Sequence, residues 1–281
     1  MLEIPADRFP VVASLVRCLS YPQPAQAIIE GTTEGCVFVD SPTAPSIALI
    51  IEKKANVFLA GEPTPDAVQS LAHLFSNVII PAGETMSRPM PHLQYHPLSW
   101  SEHIPHILEK RPPVEDLRVA YSVTDPARVL ASVGQVSGIP VPVGSRLARV
   151  DTALLNSDLG NVEDLRSEVL GQWASLDEFC AYGLGFCLVV NDDIAAWCLS
   201  EYHTSHACSL GVETISAYQR RGYGTTVAKA TLSECVRHGF EPHWDAWKRN
   251  VPSLKTAERA GFDSKVEYPA YVYWRRTRCS R

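Results

Sequence analysis

Apolar positions along the chain fall into short continuous runs and stripes at helical spacing. In the N-terminal half Val12, Leu15, Val16 and Leu19 recur at helical spacing and predict a short amphipathic helix over 9–19, ended by Tyr21-Pro22. Runs at 36–40, 46–51 and 56–60, each bounded by turn residues, predict a β-meander. Thr64 then offers a capping hydroxyl ahead of Pro65, and Val68, Leu71, Ala72 and Phe75 mark a helix over 65–75. A strand at 78–81 follows. Pro89, Pro91 and Pro97 predict irregular chain over 82–97, and a helix resumes over 101–110.

The C-terminal half is preceded by a predicted helix over 126–136 and by Gly138-Ile139-Pro140-Val141-Pro142-Val143-Gly144, which breaks regular structure. It opens with a strand over 146–154 and helices over 162–173 and 176–182, the second started by a Ser175/Glu178 capping box. Strands over 185–190 and 194–202 hinge at Asn191-Asp192-Asp193, and a third runs over 206–215. After a glycine-containing loop, Ala228, Thr231, Leu232 and Cys235 share one face of a helix that Gly239 stops. A strand over 241–246 follows. Asn250 caps a helix carrying Leu254, Ala257 and Ala260, Gly261-Phe262 fits a Schellman ending, and strands at 264–267 and 270–274 close the chain. The expected fold is α/β (α+β), a mixed, mostly antiparallel sheet flanked by helices. Its domains are 1–137 and 145–281, joined by a linker at 138–144.

Composition narrows the function. With 46% hydrophobic and 20% charged residues the chain reads as globular, and a net charge of -6 argues against a nucleic-acid surface. The basic group Arg275, Arg276, Arg278 and Arg281 reads as a solvated tail. Eight cysteines show neither CxxC nor zinc-ligand spacing, which suits a reducing cytoplasm. His103 and His106 have metal-compatible spacing, but no carboxylate or cysteine completes the set, so no metal is expected. No signal sequence or membrane-length apolar run is recognised, and a soluble cytoplasmic protein is expected.

The candidate chemistry lies in Tyr218-Gln219-Arg220-Arg221-Gly222-Tyr223-Gly224-Thr225, set where a strand gives way to a helix. Two glycines there allow backbone N–H groups to converge on an anion at the positive end of the helix. The loop lacks the Lys-Ser or Lys-Thr of a P-loop and the third glycine of the dinucleotide fingerprint.

Gln219 to Thr225 resembles the Q/R-x-x-G-x-G/A acetyl-CoA motif of the GNAT superfamily of N-acetyltransferases. The resemblance covers roughly 146–276 and includes Asn250-x-x-Ser253 and Ala260-Gly261-Phe262. Val37-Phe38-Val39-Asp40, Phe58-Leu59-Ala60-Gly61, Trp244-Asp245 and Tyr268-Pro269-x-Tyr271 are similar to the branch with a degenerate GNAT-like N-terminal domain. That likeness implies two tandem GNAT-like domains, with residues 36–81 a decayed copy lacking a phosphate loop.

The resemblance implies direct transfer of an acetyl group from acetyl-CoA to a primary amine. Gln219, Arg220, Arg221, Gly222, Tyr223, Gly224 and Thr225 would hold the pyrophosphate, and the strand end at Glu213, Thr214 and Ile215 would pair with the pantetheine arm. Asn250 and Ser253 would lie near the thiol or the arm. An alkylamine of pKa about 10 is mostly protonated at pH 7, so a base is expected. Glu213, Asp245 and His206 are the candidates, Glu213 needing burial to raise it from about 4.3. Family enzymes often place a Tyr acid where this chain has Ala257, which leaves Tyr271, Tyr268 or solvent to protonate the thiolate. The acceptor is expected to be a small-molecule amine. A non-catalytic acyl-CoA sensor or scaffold, and a protein or peptide N-acetyltransferase, are the alternatives. The N-terminal half is open to two roles, a wall of the acceptor site or a homodimer interface.

Overall fold

The computed structural model describes residues 1–52, 56–81, 92–133 and 136–272. The arginine group from 275 onward, Cys279 and the end of the strand expected to reach 274 lie outside the described residues. The chain forms two compact units, one built from Met1–Arg118 with the strand from Glu267, the other from Val119–Val266. The segment 138–144 falls within the second unit.

In the first unit β1 (Leu2–Ile4) pairs antiparallel with β2 (Gly35–Val39), and β3 (Ala48–Glu52) and β4 (Val57–Ala60) complete an antiparallel meander. Helix α1 (Gln23–Ile29) precedes the meander and α2 (Pro65–Leu74) follows it, capped by the Thr64 hydroxyl, which accepts from Ala67 N at 3.2 Å. Strand β5 (His92–His96) then lies parallel to β4. Val37, Val39, Ala48, Ile50 and Phe58 face one apolar cluster with Ala25 and Ile28. Phe38, Leu49, Leu59, Leu93 and Tyr95 face another with Leu71 and Leu74. Burial on both faces explains why these strands read as continuous apolar runs rather than alternating ones.

Several expectations here are corrected. Residues 78–81 are helical, continuing α2 through the wider turns of Phe75–Ile79. Val78 is 50% exposed, so its β-branched neighbourhood has no sheet to enter. The strand beside β4 is β5 instead. Pro97 follows it rather than breaking it, since it occupies no rung of its ladder, and Pro89 and Pro91 lie outside the described residues. Helix α1 went unread because Pro22 and Pro24 look like breakers, although proline is tolerated in a first turn. The expected helix over 101–110 is two short pieces, a 3-10 turn at Leu98–Glu102 and an α turn at Ile104–Ile107.

In the second unit the strands lie in the order β6 (Val114–Ser122, of which Val119–Ser122 fall in this unit), β11 (Glu241–Trp247), β10 (Ala207–Thr214), β9 (Asp193–Glu201), β8 (Gly185–Val190), β7 (Ser145–Arg149). Helices α3 (Pro126–Val133), α6 (Tyr223–Arg237) and α7 (Val251–Ala260) cover one face, where Cys208, Leu210, Trp244 and Ala246 meet Val227, Leu232 and Ala257. Helices α4 (Val162–Gln172) and α5 (Leu176–Tyr182) cover the other, where Trp197 and Leu199 meet Leu165, Val169 and Phe179.

Strand β7 stops at Arg149, short of the expected 154. Asp151 accepts from Leu154 N at 2.9 Å and caps a helical turn at Thr152–Leu155 instead. The two expected closing strands are a single one, β12 (Ser264–Val272), and β6 was not anticipated. The Schellman ending is present: Phe262 N donates to Ala257 O at 3.2 Å beyond Gly261, whose φ is +128°. Each unit thus repeats an antiparallel meander, a helix, and a strand parallel to the meander's last. The sheet is mixed and mostly antiparallel with helices on both faces. No helix among the described residues is long and apolar enough to cross a membrane.

Candidate active site

The two parallel ladders end differently. In the first unit β4 and β5 stay paired from Val57↔Leu93 to Ala60↔His96, and Gly61 N adds a bond to His96 O at 3.1 Å. The Trp100 indole N–H donates to Gly61 O at 2.6 Å, which closes that end. In the second unit β10 pairs with β11 only through Ala207↔Glu241, Cys208↔Pro242 and Ser209↔His243. Beyond that rung β10 keeps its ladder to β9, out to Thr214↔Ala196, and parts from β11. A parted pair of parallel strands leaves backbone groups able to accept an extended, amide-bearing chain between them.

The loop after β10 opens at the same end. A 3-10 turn, Ser216–Tyr218, leads through Arg220 (φ +62°) and Gly222 (φ +82°) into α6. The first helical amide to take an acceptor is Thr226 N, bonded to Gly222 O at 3.1 Å. The N–H groups from Arg220 to Thr225 have no acceptor among the described residues, as expected for a helix start left open to a ligand. Arg220 and Arg221 are exposed and add positive charge to the helix terminus. Gly224 sits against the end of β10, where a Cβ would lie 3.1 Å from Thr214 Oγ1.

Three side-chain bonds fix this loop. Gln219 Nε2 donates to Thr214 O at 3.1 Å, Arg221 Nη2 to Ala217 O at 3.3 Å, and Tyr218 Oη to Asp193 Oδ2 at 2.8 Å. The last ties the loop to the β8–β9 hairpin, whose Asn191 and Asp192 both take positive φ. The Asp193 bond, first among its causes, raises the Tyr218 phenol above its usual range.

Glu213 stands opposite Trp197 in the β9–β10 ladder, so both project toward α4 and α5. By alternation Ser209, Gly211 and Glu213 share this face with His243 and Asp245, because Trp244 and Ala246 point into the opposite core. The structure therefore puts Glu213 and Asp245 on one face, either side of the parting strands. Desolvation raises the Glu213 carboxyl above the usual carboxylate range; its bond from Thr214 N opposes this, and the Glu168 carboxylate of α4 reinforces it. His243 is lowered by burial, partly offset by Glu241. Neither Glu168 nor His243 was singled out from the sequence, since only the register brings them to this face.

Asn250 and Ser253 are engaged in local structure. Asn250 Oδ1 accepts from Ser253 N at 3.4 Å as the cap of α7, and Ser253 Oγ accepts from Trp244 Nε1 at 3.1 Å. Ala257 is fully buried and brings no hydroxyl; Tyr121, unread in the sequence, donates to Glu258 Oε1 at 3.2 Å beside it. His206 lies at the other end of β10, about 23 Å along the strand from Glu213, and is not brought to the site. Tyr271 belongs to the first unit. There it is 7% exposed, stacks on Tyr95 at 5.7 Å, and donates to Ser101 O at 3.3 Å.

A model of the GNAT acetyltransferase family matches residues 20–271. Among solved structures, a GCN5-related N-acetyltransferase-like protein from Streptococcus suis is 23% identical with a TM-score of 0.68, covering 96% of this chain and 99% of that one. A GCN5-related N-acetyltransferase from Sphaerobacter thermophilus is 12% identical with a TM-score of 0.58, covering 97% and 94%. A tandem GNAT protein from the clavulanic acid biosynthesis pathway is 12% identical with a TM-score of 0.55, covering 97% and 96%. At such identities these structures speak for the fold alone. No curated protein is detectably similar. The family match takes in both repeated units together with the loop and the parted strands, and the chain belongs to the GNAT acetyltransferase family.

Proposed function

We propose that the protein transfers the acetyl group of acetyl-CoA directly to the primary amine of a small molecule, the donor being held by the second unit. One observation carries this reading: β10 and β11 part after Ser209↔His243, and the unclaimed N–H groups of Arg220 to Thr225 follow at the same end. The pantetheine arm fits between the parted strands beside Glu213, Thr214 and Ile215. The pyrophosphate fits the N–H row from Arg220 to Thr225, next to Gln219.

Glu213 is the base in this reading. Its raised pKa brings it nearer to the working pH of a general base. It takes a proton from the bound ammonium, and the neutral amine attacks the thioester carbonyl. A C–N bond forms and the C–S bond breaks; the attacking nitrogen gives up its second proton to solvent, and the thiolate takes its proton from solvent, since Ala257 offers no hydroxyl. Asp245, on the same face, orients the ammonium. The same Ala257 favours a second reading, an acyl-CoA-binding module without turnover.

Purified protein incubated with acetyl-CoA and a panel of primary amines (an alkylamine, an amino acid, an aminosugar, a diamine and a lysine peptide) separates these. Free thiol released with a small amine supports the proposal. Release with the peptide alone points to a protein acetyltransferase, and acetyl-CoA binding without release to the module.

A further inference from the structure

Trp197 is buried in the middle of β9, only 3% exposed, and its Nε1–H finds no acceptor among the described residues. Three other buried or half-buried indoles among the described residues are satisfied: Trp100 donates to Gly61 O at 2.6 Å, Trp173 to Ser200 O at 3.0 Å, and Trp244 to Ser253 Oγ at 3.1 Å. A buried N–H left without an acceptor is destabilising, and an aromatic ring lacking the donor would fill an apolar cluster without that penalty. The exception stands at a particular place. Trp197 is the cross-strand partner of Glu213, and directly opposed residues of an antiparallel ladder project side by side from one face.

We propose that Trp197 is a positioning residue of the acceptor site, its indole N–H donating to a water molecule that also bonds the Glu213 carboxylate and carries the proton between the amine and that carboxylate. The inference rests on the reading of Glu213 as base. Trp197 is buried while Glu213 is exposed, so a water between them would lie at the edge of the cluster, with a donor and a carboxylate as its two polar partners. In the step, one ammonium proton passes to the water as one of the water's own protons passes to Glu213, leaving a neutral amine, an unchanged water and a carboxylic acid. The titratable groups facing Glu213 are Glu168 from α4, Glu201, whose carboxylate lies over Gly211, and His243 and Asp245 from β11.

The test uses full-length protein carrying 15N-labelled tryptophan, with the Trp197 indole signal assigned by its loss in Trp197→Phe. Between pH 4 and 8 that signal should move with the ionisation of Glu213, and the movement should vanish in Glu213→Gln. Replacing Trp197 by 3-benzothienylalanine keeps the bicyclic shape and removes the donor. Turnover of the amine found in the panel should then fall about tenfold in kcat, with the KM for acetyl-CoA and the unfolding midpoint unchanged. An indole signal that ignores Glu213, or an isostere with full kcat, overturns the proposal. A coupled indole in a protein whose Glu213→Gln variant keeps its full rate overturns the base assignment, and the role of Trp197 in transfer with it.

Discussion

Ser209 and His243 form the last rung between β10 and β11, whereas Ala60 and His96 hold β4 and β5 together to the very end of β4. The two units repeat one topology, and this rung is where their parallel ladders diverge. Where the ladder stops short, backbone groups remain for an extended ligand. Where it runs on, Gly61 N, Gly61 O and the Trp100 indole consume them.

The loop is held from outside as well as within. Tyr218 Oη donates to Asp193 Oδ2, so a hairpin two strands away in sequence supports the loop proposed to hold the pyrophosphate. Tyr218→Phe should weaken acetyl-CoA binding severalfold by loosening the N–H row before the ligand arrives. Isothermal titration of the variant measures this, and kcat at saturating acetyl-CoA should stay near the wild-type value.

Glu213→Gln removes the proposed base. Its kcat should drop by about a hundredfold while acetyl-CoA affinity is kept. In the wild type the acid limb of kcat/KM should lie above the ordinary Glu value of about 4.3, because desolvation and Glu168 raise this carboxyl. The same shift has a stability consequence. A carboxyl raised in the folded state contributes stability fully below its unfolded pKa and loses it as pH rises through the folded one. The Gln variant should therefore unfold at a higher temperature than wild type at pH 7, and the two should converge below pH about 4.

Asp263 makes the opposite case. It accepts from Thr124 N and Thr124 Oγ1, both at 2.8 Å, and pairs with Arg128 Nη2 at 2.7 Å, joining the end of α7 to the start of α3. The Thr124 backbone bond is the largest effect and lowers its pKa; desolvation opposes it, and the Thr124 hydroxyl and Arg128 add to the lowering. A lowered carboxyl contributes stability above its unfolded pKa of about 3.9 and loses it as pH falls through the folded value. Asp263→Asn should cost about 1–2 kcal/mol in urea unfolding at pH 7, a difference that narrows in acid.

The sequence was most readable where structure is local. Thr64, Ser175 and Asn250 cap their helices as the residue types require, and Asn191-Asp192 supplies the left-handed turn between β8 and β9. The meanders were legible because apolar runs this short must pair. What failed depended on partners distant in sequence. Val78 to Pro81 reads like a strand until His92 to His96 is seen in its place beside β4. The loop motif was visible in Gly222 and Gly224, and Glu213 through its position before them. The parting of β10 from β11 was not, because register belongs to a pair of strands rather than to either. Trp197 was equally silent: an indole is unsatisfied only with respect to the acceptors that folding brings near it.

The central claim is that one unit, the second, holds acetyl-CoA. Calorimetric titration of the full-length chain with acetyl-CoA, beside Gly224→Val, tests it most directly, since a side chain at Gly224 would crowd Thr214 Oγ1 at 3.1 Å and the N–H row with it. The account predicts one equivalent bound per chain and none in a folded Gly224→Val variant. Two equivalents per chain, or a single one undiminished by the substitution, would contradict it.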